Sequence, residues 1–176
     1  MTKTPILSLQ QVTRIALLSA LCVVLRYAFA SLPNVQPITA IFLLWGLLVS
    51  LRESLLIMAV TMLVSSFLLG FGPWVFWQIL AFALVLLLWR WLLCPLSQFL
   101  ATLGISELFS QSVFAGLMGV AYGVIIDSCY ALLYGMPWWT YVLAGASFNL
   151  AHALSTLLFY PLLFPIIRRF SHEKNT

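Results

Sequence analysis

The sequence is short of charge. Of its 176 residues only 7% are Asp, Glu, Lys or Arg, while 64% are hydrophobic. A soluble domain carries about 25% charged residues, so this chain cannot cover a surface facing water, and its solvent is lipid. Lysine is absent from every long apolar run, with Lys3 and Lys174 near the two ends. No P-loop, GxGxxG or HExxH motif occurs, which argues against nucleotide, dinucleotide or zinc-protease chemistry in this chain. No set of Ser, His and acid suggests a nucleophile. The cysteines, Cys22, Cys94 and Cys129, are scattered and form no CxxC, so they read as small packing residues and not as a metal or redox centre. The formal charge of +4 sits at the ends of apolar runs. It therefore reports topology, and nucleic acid is not a partner. The first run lacks a small-residue cleavage site and passes through "SLPNVQP" into another span, unlike a cleaved signal peptide.

Apolar stretches long enough for a bilayer, about 20 residues, recur along the chain. Six helices are predicted, making one all-α membrane domain over residues 1–176. The first runs from Val12 to Leu32 and is broken by "PNVQP", where two prolines bracket a turn. The second, Ile38 to Ser50, and the third, Ser54 to Leu69, are short for a bilayer; Arg52 and Glu53 between them mark a water interface. The fourth runs from Trp74 to Cys94, where Pro95 kinks or ends it, and "LSQFLATLG" follows as an amphipathic piece near the interface. Ser106 and Glu107 start the fifth, with the acid suited to the N-terminal dipole, and it continues to Tyr134. The sixth runs from Thr140 to Ile167.

Alternation of these helices puts Lys3, Arg14, Arg52, Arg90, Arg168, Arg169 and Lys174 on one side. The turns "PNVQP", "GFGPW" and "GMPWW" fall on the other side, which has no Lys or Arg. By the positive-inside rule both termini are cytoplasmic and the three proline turns face outward. The eighth basic residue, Arg26, lies within the first helix.

The outward side is rich in aromatics: Trp74, Trp77, Trp138, Trp139 and Tyr141. Two readings fit them. Trp and Tyr favour the headgroup level, and Trp89 and Trp91 supply an inner counterpart to such a belt. The outer cluster is denser, however, which suits rings that face a ligand. Polar groups converge on the same half. Arg26 lies about 9 Å and Asp127 about 10 Å below the outer helix ends at 1.5 Å per residue. Gln78 is one turn into the fourth helix, Asn149 and His152 share a face of the sixth, and Asn34 and Gln36 sit in the first turn. Intramembrane polar groups are functional candidates by default. Arg26 and Asp127 can instead neutralise one another, Asn149 can bond a neighbouring helix, and His152 can be a hydrogen-bonded packing residue, since no second metal ligand stands at the right spacing. The inner half has almost no charge, so no continuous ion path is apparent. The pattern fits a bundle with a pocket open to the outside and closed below.

Small residues form two ladders: Ala16 and Ala20 on the first helix, and Ala115, Gly119 and Gly123 on the fifth. Such ladders let helix backbones approach closely. Six short helices, inside termini and this AxxxA pair resemble the substrate-binding S-component of an energy-coupling factor (ECF) transporter, over essentially the whole chain. The resemblance implies a multi-pass protein of the cell membrane that is not an enzyme. The first, third and fifth loops and the outer helix ends would enclose a vitamin. A transmembrane T-component would meet the first, second, third and sixth helices, with Ala16 and Ala20 at that interface. Two ABC-type ATPases would use ATP, and this chain would bind no cofactor of its own. In such transporters the S-component captures substrate outside, topples in the membrane and releases it inside. "PNVQPITA" and "GFGPWVFWQ" are similar to a subgroup associated with cobalamin and related corrinoids. A flat, amide-fringed ligand suits aromatic loops with Asn and Gln nearby. Another vitamin, a queuosine precursor, or a structural role without transport are the alternatives. The substrate-binding residues expected are Arg26, Asn34, Gln36, Trp74, Trp77, Gln78, Asp127, Trp138, Trp139, Tyr141, Asn149 and His152.

Overall fold

The computed structural model describes residues 7–172. Lys3 and Lys174, part of the charge bias, lie outside that range. Among the described residues all regular structure is helical. We number six helical rods: α1 (Leu9–Ala28), α2 (Ile38–Leu48), α3 (Leu51–Leu69), α4 (Trp74–Thr102), α5 (Glu107–Tyr134) and α6 (Trp138–His172). Five are long and apolar enough to cross a membrane. The exception is α2, whose 11 residues rise about 16 Å, near half of a hydrocarbon core of about 30 Å.

α1 opens with a reciprocal cap. Gln11 N–H donates to Ser8 Oγ, and Ser8 N–H donates to Gln11 Oε1, which satisfies two N–H groups that a helix start leaves open. It ends at Ala28, earlier than the sequence predicts. Tight turns over residues 29–35 precede and enclose Pro33, and Asn34 takes a left-handed conformation (φ 57°) that Asn tolerates better than most residues. α2 is buried on every side from Ile38 to Gly46, as expected of a helix apolar all round. It touches each of the other five rods and forms the axis of the bundle.

The α2–α3 corner differs from expectation. α3 begins at Leu51, capped by Ser50, so Glu53 is helical and does not mark water. It is fully buried, and its carboxylate accepts from Arg14 Nη2 at 2.8 Å and Trp45 Nε1 at 3.3 Å. Only its neighbour Arg52 stays exposed.

α4 also departs from the prediction. Pro95 neither ends the helix nor separates an amphipathic piece. A proline ring collides with the carbonyl four residues back and offers no N–H. Here a π-helical turn over Trp89–Leu93 widens the ladder, and Cys94 N–H bonds the Trp89 carbonyl, one residue beyond the usual partner. The helix then continues to Thr102. Trp89 is buried in the core, donates to the Leu43 carbonyl at 3.1 Å and packs edge-on against Tyr160. It is therefore no part of a belt; Trp91, exposed, remains available for one.

α5 starts at the expected cap, with Ser106 Oγ accepting from Phe109 N–H, and stops at left-handed Gly135 (φ 63°), where a side chain would be strained. α5 and α6 form the most extensive helix pair. A Cβ on Gly119 would lie 2.9 Å from Ala153 Cα, so the two backbones meet with no room for a side chain between them. α6 begins two residues earlier than expected and runs on to His172 through Pro161 and Pro165.

Long-range bonds fix the alternation. Arg26 near the end of α1 reaches the end of α3 and the start of α4, while Trp138 Nε1 at the start of α6 donates to Ser128 Oγ near the end of α5. Arg14 and Glu53 join the starts of α1 and α3 at the opposite end. The three proline turns therefore share one end of the bundle.

Candidate functional site

At the proline-turn end the structure gathers polar side chains from all six rods. Arg26 lies on the inward stripe of α1, at helical spacing from Ile15, Ser19 and Cys22, all buried. Its Nη1 donates to Ser65 Oγ of α3 and its Nη2 to Gln78 Oε1 of α4, the latter at 3.2 Å. Asp127 of α5 is buried, and its Oδ2 accepts from Asn149 Nδ2 of α6 at 2.7 Å. Two glycines make room for this pair. A Cβ on Gly145 would overlap the Asp127 carboxylate, and one on Gly123 would overlap the Asn149 amide.

The expected pairing of Arg26 with Asp127 is thus corrected. Equal depth did not bring them together, because α5 and α6 pack so closely that the carboxylate turns into the α6 interface. Among the described residues the ion pair is Arg14–Glu53, at the far end.

His152 is buried and shares a 2.8 Å hydrogen bond with Thr39 at the first turn of α2. Its ring packs edge-on against Tyr122, which stacks on Phe82 at a centroid distance of 4.1 Å. These three rings lie below the polar groups. Asn34 Nδ2 donates to the Phe148 carbonyl, while Gln36 joins Ser155, one turn beyond His152 along α6, through its backbone, receiving the Ser155 hydroxyl and donating its own N–H to it. The first turn is therefore tied down onto α6. Asn34 is placed by its side chain, whereas the Gln36 position is held by its main chain.

The aromatic residues divide. Trp74 folds its ring back against Gly72, and Trp77 is half-buried beside Gln78 on α4. Phe71 stacks on Phe67 and meets Phe76 edge-on. On the other turn Trp138 and Trp139 pack edge-on, both exposed, and half-buried Tyr141 meets Tyr130. Among the described residues no ring of one turn touches a ring of the other. A cavity of about 210 Å³ adjoins Trp138, lined also by Ala131, Leu132, Gly135 and Met136. A larger groove of about 560 Å³, lined by Leu108, Pro161, Phe164, Pro165, Arg168 and Arg169, lies at the opposite end and shares no residue with the polar cluster.

Sequence reasoning missed Thr39, Ser65, Tyr122 and Ser155. Two signals were available. Ser54, Thr61 and Ser65 recur at seven and four residues along α3, which marks one polar helix face in an apolar rod. Thr39 immediately follows "PNVQPI". Among the described residues no three His, Cys, Asp or Glu side chains gather to hold a metal ion. Ala16 and Ala20 stand on the outward face of α1, exposed beside Leu17 and Leu21, opposite the stripe that packs on α3.

A helical, multi-pass membrane protein with a polar cluster under proline-bounded turns is the class these features define. The family model for the substrate-specific component of ECF transporters matches residues 10–164, and the chain belongs to that family. Its role is to bind substrate in transport and not to catalyse a reaction. Comparison with curated proteins and with solved structures returned no match.

Proposed function

We propose that this chain is the vitamin-binding subunit of an ATP-driven ECF importer in the cell membrane, and that its substrate is cobalamin or a related corrinoid. Family membership supports the role. The convergence of Arg26, Gln78, Asp127, Asn149 and His152 under turns rich in Trp and Tyr is the observation that carries the substrate reading. Corrinoids are flat and fringed with amides, and they suit a surround that mixes rings with donors and acceptors. In this reading the proline turns face outward, both termini are cytoplasmic, and Trp74, Trp77, Trp138, Trp139 and Tyr141 frame the entrance with Asn34 and Gln36. The T-component seats on the α1 face bearing Ala16 and Ala20. Two ABC-type ATPases supply the energy, and toppling of this subunit carries the substrate inward.

The test is isothermal titration of the purified full chain with cobalamin, alongside inspection for a red tint after purification from cells supplied with it. Saturable binding is expected. Binding of a different vitamin or of a queuosine precursor, with none of cobalamin, discards the corrinoid and keeps the transport role. Absence of binding by cobalamin and by each of these alternatives discards the corrinoid and points to a substrate of another class.

A further inference from the structure

Among the described residues, Arg26 is a charge without a counter-charge. A guanidinium carries five N–H donors. Two of Arg26's go to neutral acceptors, Ser65 Oγ and Gln78 Oε1. The nearest candidate acid by depth, Asp127, is bonded to Asn149 instead. Among the described residues, the buried side-chain nitrogen and oxygen atoms without partners are Arg14 Nε and Thr61 Oγ1. Arg26 Nε has no partner and is not among these sealed atoms, so it keeps some exposure, while Nη1 and Nη2 each carry a second N–H beyond the bond shown. Arg26 itself stands on the inward stripe of α1 with Ile15, Ser19 and Cys22. Ser65 and Gln78 hold the guanidinium plane in place but leave its charge unbalanced. An unbalanced cation at membrane depth is costly, and a planar fork favours two oxygens of one anionic group.

We propose that Arg26 anchors an anionic oxygen group of the substrate, a phosphate or a carboxylate, through the N–H groups that Ser65 and Gln78 leave open. This rests on the substrate-binding reading above and adds a chemical requirement to it. The Asp127 carboxylate and the Asn149 carbonyl oxygen are seated against Gly145 and Gly123 between α5 and α6, so they offer Arg26 no counter-charge. The substrate then carries its anion toward α1, α3 and α4. Cobalamin meets this condition, with a phosphodiester in its nucleotide loop. Cobinamide, its truncated relative, keeps the amides and lacks the phosphodiester.

The full chain in phosphatidylcholine nanodiscs provides the test, with two readouts. Calorimetry compares cobalamin with cobinamide, and thermal melting compares millimolar inorganic phosphate with chloride at matched ionic strength. The wild-type protein is expected to prefer cobalamin by about tenfold or more, near 1.4 kcal/mol, and to melt higher in phosphate. Arg26→Gln is expected to lose both effects. Arg26→Lys keeps the charge without the fork, so it should fold and retain part of each. Persistence of the preference and the phosphate effect in Arg26→Gln overturns the anchor, as does their absence from the wild type. An Arg26-dependent phosphate effect with no binding of either corrinoid keeps the anchor and discards the corrinoid. Equal binding of both corrinoids without a phosphate effect does the reverse.

Discussion

A charged residue in this bundle is defined by its partner more than by its depth. Glu53 and Asp127 are both buried carboxylates, yet one faces Arg14 and the other an amide. Their positions were legible in the sequence, but their partners were not, because partner choice depends on how helices rotate against each other. The sequence places Arg52 and Glu53 together at a water interface, but α3 begins early enough to turn Glu53 inward. A double-mutant cycle tests the pair that does exist. Arg14→Met leaves the Glu53 carboxylate without its cation. This is expected to cost about 3 kcal/mol, the low end for buried pairs, because the Arg14 side chain keeps 29% of its exposure. Replacing both residues with Met removes the stranded charge and should recover most of that loss, less the cost of leaving Trp45 Nε1 unpaired. Thermal unfolding in detergent measures it, and a double variant no more stable than Arg14→Met would show that the two residues do not act as a pair.

Among the elements, α5 and α6 show how much a small residue decides. The ladder of Ala115, Gly119 and Gly123 pointed to close packing from the sequence alone. The structure supplies the partners: the Ala153 backbone against Gly119 and the Asn149 amide against Gly123. Gly119→Ala forces backbone apart from backbone, which no side-chain rotation relieves, so destabilisation of about 1–3 kcal/mol is expected. Gly46→Ala in α2 is the control, since its added Cβ would meet atoms no nearer than 3.6 Å. Melting temperatures of the two variants check the contrast; equal temperatures would mean that α5 and α6 can separate freely. At Pro95 local rules pointed to a break, and the helix instead passes through a π-turn. With Trp89 locked into the core by Leu43 and Tyr160, widening one turn satisfies the backbone without losing that packing.

For the whole molecule, the outward face of α1 is the surface left over. Ile15, Ser19 and Cys22 face α3, while Ala16, Ala20 and their neighbours Leu17 and Leu21 remain exposed. Lipid covers such a face equally well, but the small residues also admit a partner helix at close range. Ala16→Trp or Ala20→Trp is expected to reduce uptake and assembly with the T-component at least several-fold, while binding by the isolated subunit stays unchanged. Transport assays in proteoliposomes, paired with titration of the isolated chain, separate the two effects. Lost binding in the isolated subunit would place these alanines in internal packing.

Composition and spacing by themselves determined that this chain lives in lipid, that it is helical, where the three proline turns fall, and which polar residues lie at the turn end. Those properties follow from local quantities: transfer free energy per residue, the missing N–H of proline and the rise of a helix. The tertiary structure alone decided that α2 is a short central axis, that Trp89 is core, and that Arg26 and Asp127 face different partners. Each of these depends on rotation and separation between helices, set by side-chain volumes on two rods at once. A one-dimensional pattern shows which face of a rod is apolar or small, but not which rod will lie against it, and that choice is what set Asp127 against Asn149 and Arg26 against Ser65 and Gln78.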